Sequence, residues 1–207
     1  MATAVKICGI TRLEDAFASI RGGAHAIGFN FYAPSPRHVT PVAAGAIMRA
    51  LPPFITTVGL FVDAPAEEVL ATLAQAPVQL LQFHGAETPA YCRQFQRPYM
   101  KAVRMGAGVD LLQYARDYHD AKALLLDAYV EGLHGGSGAT FDWSQVPGGL
   151  PLPIIVSGGL TAENVGDAVR RVRPSAVDVS SGVESAKGIK DAAKIAAFIA
   201  GVRNADV

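Results

Sequence analysis

The sequence has few of the residues and patterns that mark disulfide-bonded, metal-binding or cofactor-binding proteins. Cys8 and Cys92 are the only cysteines among 207 residues, which is too few for a disulfide framework or a cysteine-rich zinc site. The five histidines form neither an H-E-x-x-H pattern nor a similar ligand pair. No G-x-G-x-x-G segment follows the first apolar run, so the usual dinucleotide-binding signature is missing. We therefore expect a protein that needs no metal and no organic cofactor.

An excess of charge of one sign is also missing. The chain carries 18 basic and 18 acidic side chains without a long run of either. This balance argues against a nucleic-acid or membrane-surface partner and favours a small-molecule ligand. No segment offers the roughly 20 apolar residues that span a bilayer, and the first residues lack the hydrophobic stretch of a signal peptide. We expect a cytoplasmic protein, monomeric or homodimeric.

What the sequence does contain is a regular alternation of short apolar runs and segments of helical periodicity. Eight runs are predicted to be strands: Val5–Cys8, Ala26–Phe31, Thr57–Val62, Val78–Phe83, Met100–Arg104, Ala123–Asp127, Pro153–Ser157 and Ala176–Ser180. Seven segments are predicted to be helices: Leu13–Arg21, Pro41–Leu51, Ala66–Gln75, Pro89–Gln94, Val109–Tyr118, Ala162–Arg171 and Ile189–Val202. Thr40 and Thr161 stand where each could cap the helix that follows it.

Strands that alternate with helices predict an α/β protein with a parallel sheet. Eight such units most simply close into one (β/α)8 barrel, a TIM barrel, which we expect to form a single domain over residues 1–207. A flavodoxin-like or Rossmann sheet is the alternative, and the missing glycine signature disfavours it.

Polar side chains end most of the predicted strands, which is where ligands bind in such barrels. Cys8 ends the first strand and is either an inert buried cysteine or a thiol that acts as a general base. Asp127 ends the sixth strand and either caps the next segment or donates a proton to a leaving oxygen. Gln82 and His84 end the fourth strand and are predicted to bind substrate, although a structural role for His84 is slightly favoured over a catalytic one.

Three glycine-rich segments follow the sixth, seventh and eighth strands. Glycine lets backbone N–H groups approach an anion closely, and the last two loops of this fold often bind phosphate. The predicted phosphate-binding residues are Gly136, Gly138, Gly158, Gly159, Ser181 and Gly182. Arg37, in a proline-rich loop, is either a solvated arginine or a clamp for a carboxylate. Asp178 interrupts an apolar strand, where burial is costly without a partner or a ligand, so we expect it to contact substrate.

Several segments together resemble the phosphoribosylanthranilate isomerase family. They are VKICGIT, GFNFYAPSPRHV, VGLFVD, LLQFHGAE, LLLDAY, GGSGATFDW, SGGLTAENV and DVSSGVE, which extend from Val5 to about Lys194. The resemblance implies an Amadori rearrangement of N-(5-phosphoribosyl)anthranilate to 1-(2-carboxyphenylamino)-1-deoxyribulose 5-phosphate. It implies that Cys8 is the general base and Asp127 the general acid, that Arg37 binds the anthranilate carboxylate, and that Asp178 lies on the anthranilate side.

Two other functions stay open at this point. One is a different phosphate-binding barrel, such as an indole-glycerol-phosphate synthase or a histidine-pathway isomerase. The first of these normally has a catalytic lysine at the barrel mouth and a longer N-terminal extension, and neither is evident. The other is a phosphometabolite-binding protein in which Cys8 and Asp127 do no chemistry.

Overall fold

A computed structural model describes residues 2–128 and 140–206 of the chain. Within these residues, eight parallel strands pair in chain order and close into a barrel. The barrel strands are β1 (Ala4–Ile7), β2 (Ala26–Asn30), β3 (Thr56–Phe61), β4 (Leu80–Phe83), β5 (Tyr99–Met105), β6 (Leu124–Ala128), β7 (Ile154–Val156) and β8 (Ala176–Val179). The predicted (β/α)8 barrel is confirmed.

Helices cover the outside of the barrel. In the described part of the chain they are α1 (Leu13–Gly22), α2 (Pro41–Ala50), α3 (Ala66–Gln75), α4 (Pro89–Arg93), α5 (Leu111–Asp117), α6 (Val165–Val172) and α7 (Ala192–Ala205). Short 3₁₀ turns lie at Trp143–Gln145 and Ser181–Val183. A small antiparallel hairpin of β9 (Glu184–Ala186) and β10 (Ile189–Lys190) follows β8. No helix in residues 2–128 and 140–206 is long and apolar enough to cross a membrane.

The last two helices begin three residues later than predicted, and of the two predicted threonine caps one is wrong and one is confirmed. The last helix begins at Ala192 instead of Ile189, because Ile189 pairs with β9 and Asp191 caps the helix by accepting hydrogen bonds from two backbone N–H groups. Thr161 does not cap α6, because its backbone N–H donates to the side chain of Asn164 and the chain makes a further turn before the helix begins. Thr40 caps α2 as predicted, since its hydroxyl accepts from the N–H of Ala43.

The barrel interior changes character along its axis. Successive residues of a strand face opposite sides of the sheet, so alternate residues point inward. Near the amino ends of the strands the interior is filled by apolar side chains, including Val58, Met100 and Leu125. Near the carboxyl ends it holds buried polar residues such as Lys6 and Asp178. A cleft for polar ligands can therefore open only at the carboxyl end.

The layer between sheet and helices supplies most of the apolar core. Phe29, Phe61, Phe83 and Phe198 are fully buried there. Removing a side chain of this size from water stabilises the fold by roughly 1.5–3 kcal/mol. This outer core holds the strand ends in fixed positions, which matters because the functional side chains project from those ends.

Pairing of the first strand with the last closes the barrel. Four residue pairs join β1 to β8, and Lys6 lies directly opposite Asp178. Close to this seam, the backbone N–H and hydroxyl of Thr3 both donate to the carboxylate of Asp206, over 2.8 and 2.6 Å. Residues far apart in the sequence are thus brought together at one place in the wall.

Candidate active site

A cleft of about 590 Å³, including its open mouth, lies at the carboxyl ends of the barrel strands. Nine of the residues predicted to form the site line it: Cys8, Arg37, Gln82, His84, Asp127, Gly158, Gly159, Asp178 and Ser181. Gly182 is not among the residues that line the cleft. Gly136 and Gly138 lie outside the described residues, so their predicted contact with phosphate stays a prediction.

Cys8 lies just beyond the end of β1 beside a buried ion pair. The ammonium Nζ of Lys6 is 2.8 Å from Oδ1 of Asp178, and the Ser157 hydroxyl donates to Oδ2 of the same carboxylate over 3.3 Å. Asp178 therefore has the partner that its position in an apolar strand demands. Sequence reasoning missed Lys6, although a lysine inside the apolar run VKIC was a usable signal.

The surroundings of Cys8 disfavour the thiolate. Burial raises the pKa of the Cys8 thiol above its ordinary value; the positive charge of Lys6 opposes this rise, while the negative charge of Asp178 adds to it. Burial alone would lower the pKa of Lys6, yet the negative charges of Asp178 and Cys8 raise it above its ordinary value. Lys6 is therefore protonated at neutral pH.

Asp127 belongs to a chain of three side chains that crosses from β4 to β6. Its Oδ2 is 3.0 Å from Nε2 of His84, and Nδ1 of that ring is 2.8 Å from Nε2 of Gln82. When the amide of Gln82 donates to Nδ1, the imidazole carries its proton on Nε2 and donates to Asp127. Asp127 itself lines the cleft, so this chain of side chains fixes a carboxyl group at the cleft wall.

His84 differs in one respect from the prediction that it binds substrate. Both of its ring nitrogens are already within hydrogen-bonding distance of protein side chains. A substrate could bond to the ring only after one of these hydrogen bonds is broken. These two hydrogen bonds hold the His84 ring against the Asp127 carboxyl group. Oε1 of Gln82 has no hydrogen-bond partner among the described residues although it is buried, so Gln82 remains able to accept from a ligand.

Arg37 reaches the cleft from the loop after β2 and is held by a carboxylate. Its Nε and Nη2 donate to the two oxygens of Glu184, each over 2.8 Å. Glu184 also accepts from the buried ammonium of Lys190 over 2.8 Å. Burial would raise the pKa of Glu184, but hydrogen bonds and attraction from Arg37 and Lys190 lower it below its ordinary value. Sequence reasoning missed both partners, which lie in and beside the hairpin that follows β8.

The loops after β7 and β8 present backbone N–H groups to the cleft. Gly158 and Gly159 have φ of +81° and +61°, a conformation that glycine adopts without strain. Within the described residues, the N–H groups of Gly159 and Ser181 donate to no backbone carbonyl. At residue 182 glycine is needed for a different reason, because a β-carbon there would collide with the carbonyl oxygen of Leu160. The geometry suits an anion at Gly159 and Ser181.

The protein is a closed (β/α)8 barrel with a thiol and a carboxyl group in one cleft at its carboxyl end. This arrangement is typical of barrel enzymes that work by general acid–base catalysis. The family model described as N-(5'phosphoribosyl)anthranilate (PRA) isomerase matches residues 5–201. The chain therefore belongs to the N-(5'-phosphoribosyl)anthranilate isomerase family, as the sequence motifs predict.

Individual relatives agree with this assignment over almost their whole length. An N-(5'-phosphoribosyl)anthranilate isomerase of Dechloromonas aromatica is 56% identical over 206 residues, which cover 100% of this chain and 99% of the relative. The crystal structure of phosphoribosyl anthranilate isomerase from Thermotoga maritima superposes with a TM-score of 0.89 at 40% identity, covering 98% and 99% of the two chains. A further solved member is in complex with reduced 1-(o-carboxyphenylamino)-1-deoxyribulose 5-phosphate, with a TM-score of 0.86 at 39% identity and the same coverage.

Proposed function

We propose that this protein converts N-(5'-phosphoribosyl)anthranilate to 1-(2-carboxyphenylamino)-1-deoxyribulose 5-phosphate in tryptophan biosynthesis, with Cys8 as general base and Asp127 as general acid. The observation that carries the proposal is the presence of both groups in one cleft. Cys8 follows β1 and Asp127 lies in β6, so two strands of the closed ring separate them on the shorter side. A substrate bound between them can exchange protons with both groups.

The reaction needs two proton transfers. Asp127 protonates the furanose ring oxygen, which opens the ring and leaves a Schiff base. The Cys8 thiolate then removes the proton from C2, and the resulting enolamine tautomerises to the ketone. Neither step requires a redox centre, a Lewis acid or an organic cofactor.

Different groups of the cleft suit the two charged ends of the substrate. The guanidinium of Arg37 offers its remaining N–H groups to the anthranilate carboxylate. The N–H groups of Gly159 and Ser181, which donate to no backbone carbonyl in residues 2–128 and 140–206, suit the phosphate. Asp178 lines the same cleft, where the family resemblance assigns it to the anthranilate side, and Oε1 of Gln82, which has no partner among the described residues, can accept from a sugar hydroxyl. Binding energy is thus available away from the reacting atoms, where it positions C2 for proton transfer.

Turnover of freshly prepared phosphoribosylanthranilate tests the proposal directly. We expect the fluorescence of the substrate to disappear in proportion to enzyme, and the carboxyphenylamino-deoxyribulose phosphate to appear in equal amount. The activity should persist after exhaustive chelation. Binding of substrate without its consumption would instead identify a phosphometabolite-binding protein and refute the proposal.

A further inference from the structure

Lys6 and Cys8 lie two residues apart at the end of β1, so both side chains point into the barrel. Lys6 is 4% exposed although its charge is costly to bury. Its ammonium has three hydrogens to donate, and the ion pair with Asp178 at 2.8 Å accounts for one of them. The Cys8 sulfur lies beside this ammonium, since both would contact a β-carbon placed on Gly28. Lys6 therefore lies next to two groups of the site at once.

Gly28 on β2 makes room for this arrangement. A β-carbon at residue 28 would lie 2.8 Å from Sγ of Cys8, 3.0 Å from Cε of Lys6 and 3.1 Å from Nζ of Lys6. The sulfur and the ammonium thus share one small pocket in the wall, which exists because residue 28 has no side chain. Any larger residue would force Lys6 and Cys8 to move.

Four charged groups act on the Cys8 sulfur. Lys6 and Asp178 come from the two strands that form the seam, Lys190 comes from β10, and Arg37 comes from the loop after β2. Lys190 and Arg37 are both engaged by Glu184, which offsets their positive charge. Lys6 exerts the strongest attraction on the thiolate.

We propose that Lys6 is a positioning residue that holds its ammonium between Asp178 and Cys8 and supplies the positive charge against which Cys8 ionises. The inference rests on the proposed function, in which Cys8 must be a thiolate before it can accept the proton from C2. The Asp178 carboxylate fixes the ammonium in place and at the same time opposes ionisation of the thiol. Removing Lys6 and removing Asp178 should therefore shift thiolate formation in opposite directions.

Alkylation of Cys8 by iodoacetamide between pH 7 and pH 9.5 measures thiolate formation without reference to turnover, because the thiolate is the nucleophile. Labelling is located by mass spectrometry of the intact folded protein, and Cys92 serves as an internal reference because burial raises its pKa to about 12. In Lys6→Met we expect the alkylation rate at a fixed pH below the midpoint to fall at least about tenfold, equivalent to one pH unit. In Asp178→Asn we expect it to rise.

Two further variants distinguish a loss of positive charge beside Cys8 from a general disturbance of the fold. Lys101→Met removes another buried lysine, paired with Glu87 at 3.0 Å, and should leave alkylation of Cys8 unchanged. Lys6→Met/Asp178→Asn removes the whole pair, so it leaves no unpaired charge and tests the proposal if the single Lys6 variant fails to fold. We expect slow alkylation in this double variant as well.

The pH profile of kcat/KM supplies the second measurement. In Lys6→Met the rising limb should move to higher pH, whereas a purely structural role for Lys6 would lower the rate at all pH values alike. Alkylation in Lys6→Met and in the double variant at the wild-type rate would overturn the proposal. An active Cys8→Ser enzyme would refute the base assigned to Cys8, while the alkylation experiment would still decide the role of Lys6.

Discussion

Arg37 and Glu184 form a two-point ion pair at the mouth of the barrel, with Nε to Oε1 and Nη2 to Oε2 both at 2.8 Å. The pair fixes the plane of the guanidinium before any ligand arrives, and it leaves Nη1 without a role in the pair. Because Glu184 also binds Lys190, its single negative charge balances one buried and one partly buried cation. Loss of this carboxylate would leave both cations uncompensated.

Glu184→Gln should therefore weaken both substrate binding and the fold. We expect KM to rise more than kcat falls, because Arg37 loses its fixed orientation. Breaking a buried ion pair from one side costs about 3–5 kcal/mol. Urea unfolding at pH 7 measures this loss, and Glu67→Gln on the exposed face of α3 is the matched control. An unchanged KM in Glu184→Gln would show that the orientation of Arg37 does not matter for binding.

The stabilising effect of Glu184 should depend on pH. Its pKa in the folded protein is lowered, so its contribution is complete above the unfolded value of roughly 4.3 and is lost as the pH falls through the folded value. We expect the stability difference between wild type and Glu184→Gln to be large at pH 7 and to shrink below about pH 4.3. A difference that is the same at pH 7 and pH 3.5 would contradict this assignment of charge.

Cys8→Ser and Asp127→Asn test the two proton transfers. Each should lower kcat by roughly 10²- to 10⁴-fold while product affinity changes little, because phosphate and carboxylate are bound elsewhere. Cys92→Ser, far from the cleft, is the control for Cys8→Ser. Since the pKa of Cys8 is raised, wild-type kcat/KM should still be rising at the ordinary thiol pKa of about 8.5. A Cys8→Ser enzyme with wild-type kcat would return Cys8 to a structural role.

His84→Leu removes the hydrogen bond to Asp127 and keeps a side chain of moderate size. Misplacing a catalytic group can cost up to about 10²-fold, so we expect kcat to fall by this order with a smaller change in KM. His119→Leu, at an exposed position after α5, controls for loss of an imidazole. A large rise in KM with kcat intact would instead support the direct substrate contact that the sequence suggested.

Ser181→Glu tests the anion site after β8. A carboxylate there should repel phosphate, raising KM for substrate and the inhibition constant for inorganic phosphate, while kcat is largely retained. Ser185→Glu adds the same charge on β9 and should leave both constants unchanged. The serine variants test anion binding better than substitutions of Gly158 or Gly182 would. A β-carbon added at either glycine would collide with the backbone of Ala128 or of Leu160 and disturb the fold. If Ser181→Glu had the same KM as the control Ser185→Glu, Ser181 would not belong to the phosphate site.

The order and type of the elements could be predicted because local sequence encodes them. Each barrel strand overlaps its predicted run, since apolar runs bounded by turn residues depend on neighbours in sequence. The final helix start was wrong because Ile189 pairs with β9 through a tight turn at Gly188, whose φ is +77°. Helical periodicity cannot reveal such a pairing.

In the candidate site, too, the features encoded in local sequence could be predicted and the contacts between distant residues could not. Cys8 and Asp127 could be proposed from their place at strand ends, a property of the local sequence. Lys6 with Asp178 and Arg37 with Glu184 are pairs separated by 172 and 147 residues, and no local pattern indicates which cation meets which carboxylate. The hydrogen bond between His84 and Asp127 spans 43 residues, so no local pattern indicates it either.

The seam between β1 and β8 has a consequence for how the chain folds. A slip of one residue would turn the inward face of a strand outward. At this seam such a slip would bury Lys6 or Asp178 against the apolar layer under the helices, with its charge unpaired and at a cost of several kcal/mol. The ion pair between Lys6 and Asp178, which lies beside Cys8, therefore also favours the correct register of β8 against β1.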